Sequence, residues 1–150
     1  AGESEERPMA QKITYFTVVL HALTGGRAFD GDATSPAGFL KLTATGRKSG
    51  QSRTVELIYL RDGDAYALTA SNGGRPSNPG WFFNLQSNPE VAIEVRGVRR
   101  RATAEVASPE KRAALWPQLT QIAPMYAGYE KRTQRVIPMV IVRPTGEAGD

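Results

Sequence analysis

The stretch from Phe39 to Ala70, FLKLTATGRKSGQSRTVELIYLRDGDAYALTA, decides the fold, because apolar side chains recur in it at every second position. Leu40, Leu42 and Ala44 share one face of a strand over Phe39 to Thr45. Val55, Leu57 and Tyr59 share a face over Thr54 to Leu60, and Tyr66 and Leu68 do so over Ala65 to Ala70. Arg61-Asp62-Gly63-Asp64 is a turn sequence that joins the second and third strands as a hairpin. Between the first two strands lies the run Thr45 to Arg53, TGRKSGQSR. Gly46 and Gly50 permit close backbone approach, exposed amides there can form an anion-binding nest, and Arg47, Lys48 and Arg53 supply charge. Such a loop serves either as a cradle for phosphate or carboxylate or as a solvated basic hairpin tip, and the segment alone does not choose. It is not a nucleoside triphosphate loop, whose spacing would need glycines at 42 and 47, where Leu42 and Arg47 stand.

Outward from this stretch the period of two returns. Val91, Ile93 and Val95 form an inward face, Gly97 marks a turn, and Val98 to Val106 comes back with Arg99 and Arg101 opposite Val98, Ala102, Ala104 and Val106. Ile137 to Val142 is a last strand. Ile13 to Leu23 reads as a helix that is apolar nearly all round, ended by Gly25-Gly26, and core burial is its expected use. Asn78-Pro79 supplies an N-cap and first-turn proline for a short helix, Gly80 to Ser87. Ser108-Pro109-Glu110 opens another, with Leu115, Leu119 and Ile122 on one side and Pro117 expected to kink or restart it. The order helix, three strands, short helix, two strands, helix, strand predicts an α+β fold: a small barrel of about six mainly antiparallel strands with flanking helices. A chain of 150 residues suits one domain, divided as an arm and apolar helix over 1–38, a barrel over 39–144 and a tail over 145–150.

Composition removes several chemistries. There is no cysteine, hence no disulfide, thiolate metal site or CxxC redox pair, and redox chemistry would need a bound cofactor. His21 is the sole histidine and lies in the apolar helix, where a packed or capping role is expected; no metal site is predicted. Serine hydrolysis lacks a GxSxG elbow. Glu90, Glu94 and Glu105 alternate toward solvent, and Asp62 and Asp64 read as turn residues. A net charge of +4 favours anionic partners, but the excess sits at 47–53, 96–101 and 131–135 without a nucleic-acid-binding signature, so no nucleic acid is expected. The acidic start Ala1 to Glu6 is unlike a secretory signal, which with the missing cysteines points to the cytoplasm, with at most weak peripheral membrane contact through the N-terminal helix.

Two further segments draw notice. Ser71-Asn72-Gly73-Gly74 is a second polar loop leaving a strand, followed by Trp81, Phe82, Phe83 and Asn84 on the short helix. Aromatics beside amide donors suit a planar heterocycle, and they serve equally as core. Tyr126 and Tyr129, one helical turn apart, either line one wall of a pocket or cover a core edge.

Taken in order, LKLTATGRKSGQSRTVELIYLRDGDAYALTASNGG, NPGWFFNLQSNPEVAIEV, LWPQL and YAGYEKRT ahead of RVIPMVIVRP resemble the deazaflavin-dependent nitroreductase family from about Phe39 to Pro144. The resemblance implies a split β-barrel related to flavin-binding reductases, coenzyme F420 in place of FMN, and an origin in actinobacteria such as mycobacteria. It implies an oxidoreductase in which F420H2 reduces an activated double bond, quinone or nitro-type acceptor, a small planar apolar molecule, in a monomer or homodimer. The anionic phosphate and oligoglutamate tail of F420 is the kind of guest the basic loop asks for. Carried over by position, cofactor contacts fall on Arg47, Lys48, Ser49, Arg53 and Thr54, on Ala70, Ser71 and Asn72, on Trp81 and Asn84, and on Tyr126. Acceptor contacts fall on Ile58, Ser71, Tyr126 and Tyr129, with Ser71 and Tyr126 as the catalytic candidates. The chain departs from the family pattern at Asn72, where lysine is frequent, at Ser52, where proline is common, and at Ala123, where the nitroimidazole-reducing member has a tyrosine. The last departure implies an opened wall and weaker nitroimidazole reduction. A non-enzymatic reading is a carrier of F420, haem or a fatty acid in the same barrel.

Overall fold

The computed structural model describes residues 12–14, 17, 18, 21 and 34–146. The expected Gly25-Gly26 stop, the greater part of the connection from 25 to 38, and the end of the tail therefore lie outside the described residues, as do residues 15, 16, 19, 20, 22 and 23 of the front helix. In chain order the elements are β1 (Ala37–Thr45), β2 (Ser52–Asp62), β3 (Ala65–Thr69), a 3-10 turn (Asn72–Gly74), α1 (Gly80–Ser87), β4 (Glu90–Val95), β5 (Val98–Val106), α2 (Pro109–Ile122), α3 (Met125–Arg132) and β6 (Met139–Pro144). The strands close into an antiparallel barrel in the order β1-β2-β3-β6-β5-β4. The six-stranded barrel with flanking helices read from the sequence is the observed architecture.

Alternation fills the barrel. Leu40 and Leu42 of β1, Tyr59 of β2, Leu68 of β3, Val91 and Ile93 of β4, Ala102 of β5 and Val140 and Val142 of β6 meet inside, and Phe82 and Leu85 of α1 join them. Each large side chain buried this way contributes about 1.5–3 kcal/mol. Gly38 stands opposite Tyr59 across the β1–β2 ladder, where a Cβ would come within 2.9 Å of the phenol oxygen, so the missing side chain makes room for the ring.

A second apolar layer lies outside the barrel and explains why two strands do not alternate. Leu115 and Leu119 of α2, Ala123, and Tyr126 of α3 pack on Phe39, Leu60, Ala65, Ala67, Met139 and Ile141. β3 is buried along its whole length and β6 from Met139 to Val142, because both faces meet apolar neighbours. β5 has no such cover: Arg99 and Arg101 are exposed, and so are Val98 and Val106, which alternation alone had placed inward. Both valines sit at strand ends, beyond the reach of the core.

Local signals at α2 are realised. The Ser108 hydroxyl accepts from the Lys111 amide at 3.1 Å, with Pro109 in the first turn. Pro117 neither breaks nor restarts the helix, which runs unbroken from Pro109 to Ile122. The carbonyl it deprives, on Ala113, belongs to an exposed residue, so water can serve it. The Arg112 guanidinium donates to the Ile137 carbonyl at 2.7 Å and lies over the Trp116 ring, tying α2 to the lead-in of β6.

What is described of the front segment is docked on the outer layer. Ile13, Thr17 and His21 are buried, and the Ile13 amide donates to the Ile122 carbonyl at 2.7 Å. His21 stacks on Phe39 with ring centroids 3.7 Å apart and sits 3.2 Å from the Glu56 carboxylate, a partner that helical spacing could not reveal. Among the described residues no helix is long and apolar enough to cross a membrane.

Candidate functional site

The barrel opens where β3 leaves β2. β2 pairs with β1 from Ser52 to Leu60, but with β3 only from Tyr59 to Asp62. Beyond Thr69 the chain turns away through Ser71 to Gly74, leaving Leu57 and Thr69 to face a gap. The result is a groove of about 620 Å³ lined by Leu57, Thr69, Ser71, Asn72, Gly73, Arg75, Pro79, Trp81, Tyr126 and Arg132.

The turn at 71–74 is held on two sides. Asn72, Gly73 and Gly74 all have positive φ, and a Cβ on Gly74 would come within 2.9 Å of the Tyr129 carbonyl oxygen and 3.0 Å of the Arg132 Cβ. Glycine at 74 is thus required both by backbone conformation and by contact with α3. From the other side Arg135 donates to the carbonyls of Ala70 at 3.2 Å, Ser71 at 2.9 Å and Arg75 at 3.0 Å, and also to the Asn78 side chain. Asn78 is therefore an acceptor for Arg135 and not the helix cap expected of it; Pro79 occupies the N-cap position of α1 without a side-chain cap bond. A forked guanidinium satisfies several carbonyls at once, which a lysine ammonium cannot do in the same geometry.

The basic loop is anchored differently. The Gly46 amide donates to the Gln51 carbonyl and the Gly50 amide to the Gly46 carbonyl, each at 2.8 Å, closing the loop on itself. Its side-chain hydrogen-bond acceptor on α1 is Asn84, whose Oδ1 accepts from the Arg47 amide at 3.1 Å and from its guanidinium at 3.0 Å. Arg47 also reaches the Gly80 carbonyl at 3.4 Å and lies over Phe83, so it is engaged with α1. Lys48, Ser49 and Arg53 are exposed, and neither Lys48 nor Arg53 has an acidic partner among the described residues.

Of the residues expected at the site, Ser71, Asn72, Trp81 and Tyr126 meet in the groove. Arg47, Lys48, Ser49 and Arg53 stand together on the loop; Thr54 is exposed at its exit, bonded to Thr43 at 2.8 Å. Asn84 is buried and committed to Arg47, and Ala70 is fully buried, so only its backbone can take part. Ile58 and Tyr129 do not line the groove and pack instead against the outer apolar layer. Ala123 is fully buried in that layer. It does not line the groove. Burial, and secondarily the neighbouring Tyr129, push the Tyr126 phenol above its ordinary range, so it remains a neutral hydroxyl.

Sequence reading missed Arg75, Arg132 and Arg135. Two of them lay in a run noted only as basic, and nothing in the run shows which cation turns inward. The lining thus carries two guanidinium groups beside the aromatics and amides expected there.

The chain matches the family model described as F420H(2)-dependent quinone reductase over residues 21–144. It is 44% identical over 106 residues to a Mycobacterium tuberculosis protein named F420H(2)-dependent quinone reductase, covering 69% of this chain and 71% of that one. Among solved structures it is similar to an F420-H2 dependent reductase, at 36% identity and a TM-score of 0.65, covering 70% of this chain and 93% of the other. A structure described as a domain-swapped dimer is 31% identical with a TM-score of 0.65, covering 85% of this chain and 98% of that one.

Proposed function

The chain belongs to the F420H(2)-dependent quinone reductase family and is an oxidoreductase that uses reduced F420, and on that premise we propose that Trp81 and the 71–74 turn hold the reacting ring while the 46–53 loop holds the cofactor's anionic tail. One observation carries this division. The short helix α1 sends Trp81 into the groove and Asn84 into the basic loop, so a single rigid element sets the distance between the two. When bound, the reduced deazaflavin supplies a hydride, which the quinone accepts.

The donor set fits such a group. Lys48 and Arg53 offer uncompensated cations and the loop offers amides, which suits phosphate and carboxylates. Gly46 is buried at the base of the loop, where a Cβ would come within 2.7 Å of the Ser49 hydroxyl. In the groove Trp81 provides a half-buried flat face, and the Ser71 hydroxyl and neighbouring amides provide hydrogen-bond donors for a carbonyl oxygen that gains charge. Tyr126 contributes a neutral hydroxyl and ring surface. The open side of the groove gives solvent a route to supply the proton that completes a hydroquinone. The domain-swapped relative supports a homodimer as the assembled form.

Fluorescence titration with F420 tests the assignment. F420 is expected to bind more tightly than FMN, and Lys48→Ala with Arg53→Ala to weaken it by about one to two decades per lost charge-assisted contact, more for a long tail than for a tailless deazaflavin. Equal affinity for FMN, or equal losses with and without the tail, would overturn the division of labour. Retained F420 with no turnover of any quinone would move the reading to a carrier.

A further inference from the structure

Arg75 and Arg132 both line the groove, and among the described residues neither side chain makes an ion pair or a hydrogen bond. No carboxylate lines it. The acid nearest in sequence, Glu130, is engaged with Arg112 at 3.4 Å. Asn72 donates its Nδ2 to the Ser77 carbonyl at 3.0 Å, and its Oδ1 accepts from neither arginine. The Arg75 carbonyl is held by Arg135, and Arg132 lies on the helix that packs so closely on the turn that a Cβ at Gly74 would come within 3.0 Å of the Arg132 Cβ. Two exposed arginines line one groove whose lining holds no carboxylate, a positive site that a bound anion would neutralise.

We propose that Arg75 and Arg132 form an acid-binding subsite for the acceptor, so that the groove favours quinones carrying an ionised carboxylate over neutral ones of the same ring. This rests on the groove being the acceptor site. The cofactor's tail is an alternative guest for these arginines, but α1 already meets a separate basic loop through Gly80 and Asn84, and that loop holds its own uncompensated cations. The subsite chemistry is that of a guanidinium pair on a carboxylate, bidentate at each partner where geometry allows.

A matched pair tests it: a naphthoquinone with a propanoate side chain and its methyl ester, whose ring potentials are nearly the same. With F420H2 at saturation the acid is expected to show about tenfold lower KM than the ester, with similar kcat, and the difference should shrink as salt is raised. Arg75→Ala with Arg132→Ala should raise the KM of the acid to that of the ester and leave the ester and the F420 affinity unchanged. Equal KM values in the unaltered protein overturn the proposal, as does a preference that survives in the double variant. Weakened F420 binding in the double variant with the acid preference intact assigns the arginines to the tail and overturns it as well. Quenching of tryptophan fluorescence by the acid and the ester in protein without cofactor reads the subsite independently of turnover: tighter binding of the acid, lost in the double variant, supports it even if no quinone is reduced. Failure of F420 to bind, by contrast, sinks the family-based reading and not the subsite.

Discussion

Two glycine-containing loops flank α1, and they are built on opposite plans. The 46–53 loop closes on itself, meets α1 only through Arg47 among its described contacts, and leaves Lys48 and Arg53 in solvent. The 70–75 turn is clamped by Arg135 on its carbonyls and by α3 on Gly74, and it presents a fixed wall to the groove. A flexible polyanion needs charge more than exact placement, whereas hydride transfer requires a ring held to within a fraction of an ångström. Anchoring follows that requirement.

The contrast breaks most clearly at Arg135. Arg135→Ala removes the donors to three carbonyls and to Asn78, and a loss of about 3 kcal/mol in stability is expected, with faster amide exchange confined to residues 70–78. Arg135→Lys should recover only part of it. If exchange in the turn is unchanged, the clamp is not what holds it.

Next come the glycines. Gly74 (φ +82°) and Gly50 (φ +72°) share a backbone conformation, but a Cβ at 74 meets Tyr129 and Arg132, whereas one at 50 meets nothing within 4 Å. Gly74→Ala should therefore cost about 2 kcal/mol or more and Gly50→Ala about 1 kcal/mol, read as shifts in denaturant midpoint. Equal costs would show that the two loops are equally free.

Asn84→Ala sharpens the comparison from the side of the basic loop. Its carbonyl oxygen is the acceptor for both the Arg47 amide and the Arg47 guanidinium, so F420 affinity is expected to fall about tenfold while the turn at 71–74 keeps its protection. Loss of protection in both loops would mean that α1 couples them.

The smallest effect concerns pH. A tyrosine whose folded pKa is raised contributes stability that is whole below its unfolded pKa of about 10 and is lost only as pH rises through the folded value. Tyr126→Phe should then leave the shape of the turnover profile unchanged between about pH 6 and 9, whatever it does to the rate. A profile limb that disappears in this variant would identify Tyr126 as a titrating group.

Much of this molecule is legible without coordinates. The alternation of Leu40, Leu42 and Ala44 and of Val91, Ile93 and Val95 reports burial directly, since side chains in a strand can take only two directions. The Ser108-Pro109 start of α2 is equally local, because a cap is a bond between residues three apart. Consecutive aromatics were not legible: Phe82 enters the barrel core, Trp81 lines the groove and Phe83 lies exposed under Arg47. Their helix is too short for periodicity to separate the faces.

The sequence by itself determined the barrel, the short helix and the pairing of a basic loop with an aromatic segment, since these depend on periodicity, turn chemistry and charge along the chain. Only the tertiary structure decided which cations are spent and which are available. Arg135 and Arg47 are engaged by carbonyl acceptors of the neighbouring elements, while Arg75, Arg132, Lys48 and Arg53 have neither such acceptors nor acidic partners among the described residues, although all six carry the same charge on paper. A cation's role depends on which acceptors lie within about 3 Å of its nitrogen. For Arg135 those acceptors lie 57 to 65 residues away in the chain, a distance over which no local pattern carries information.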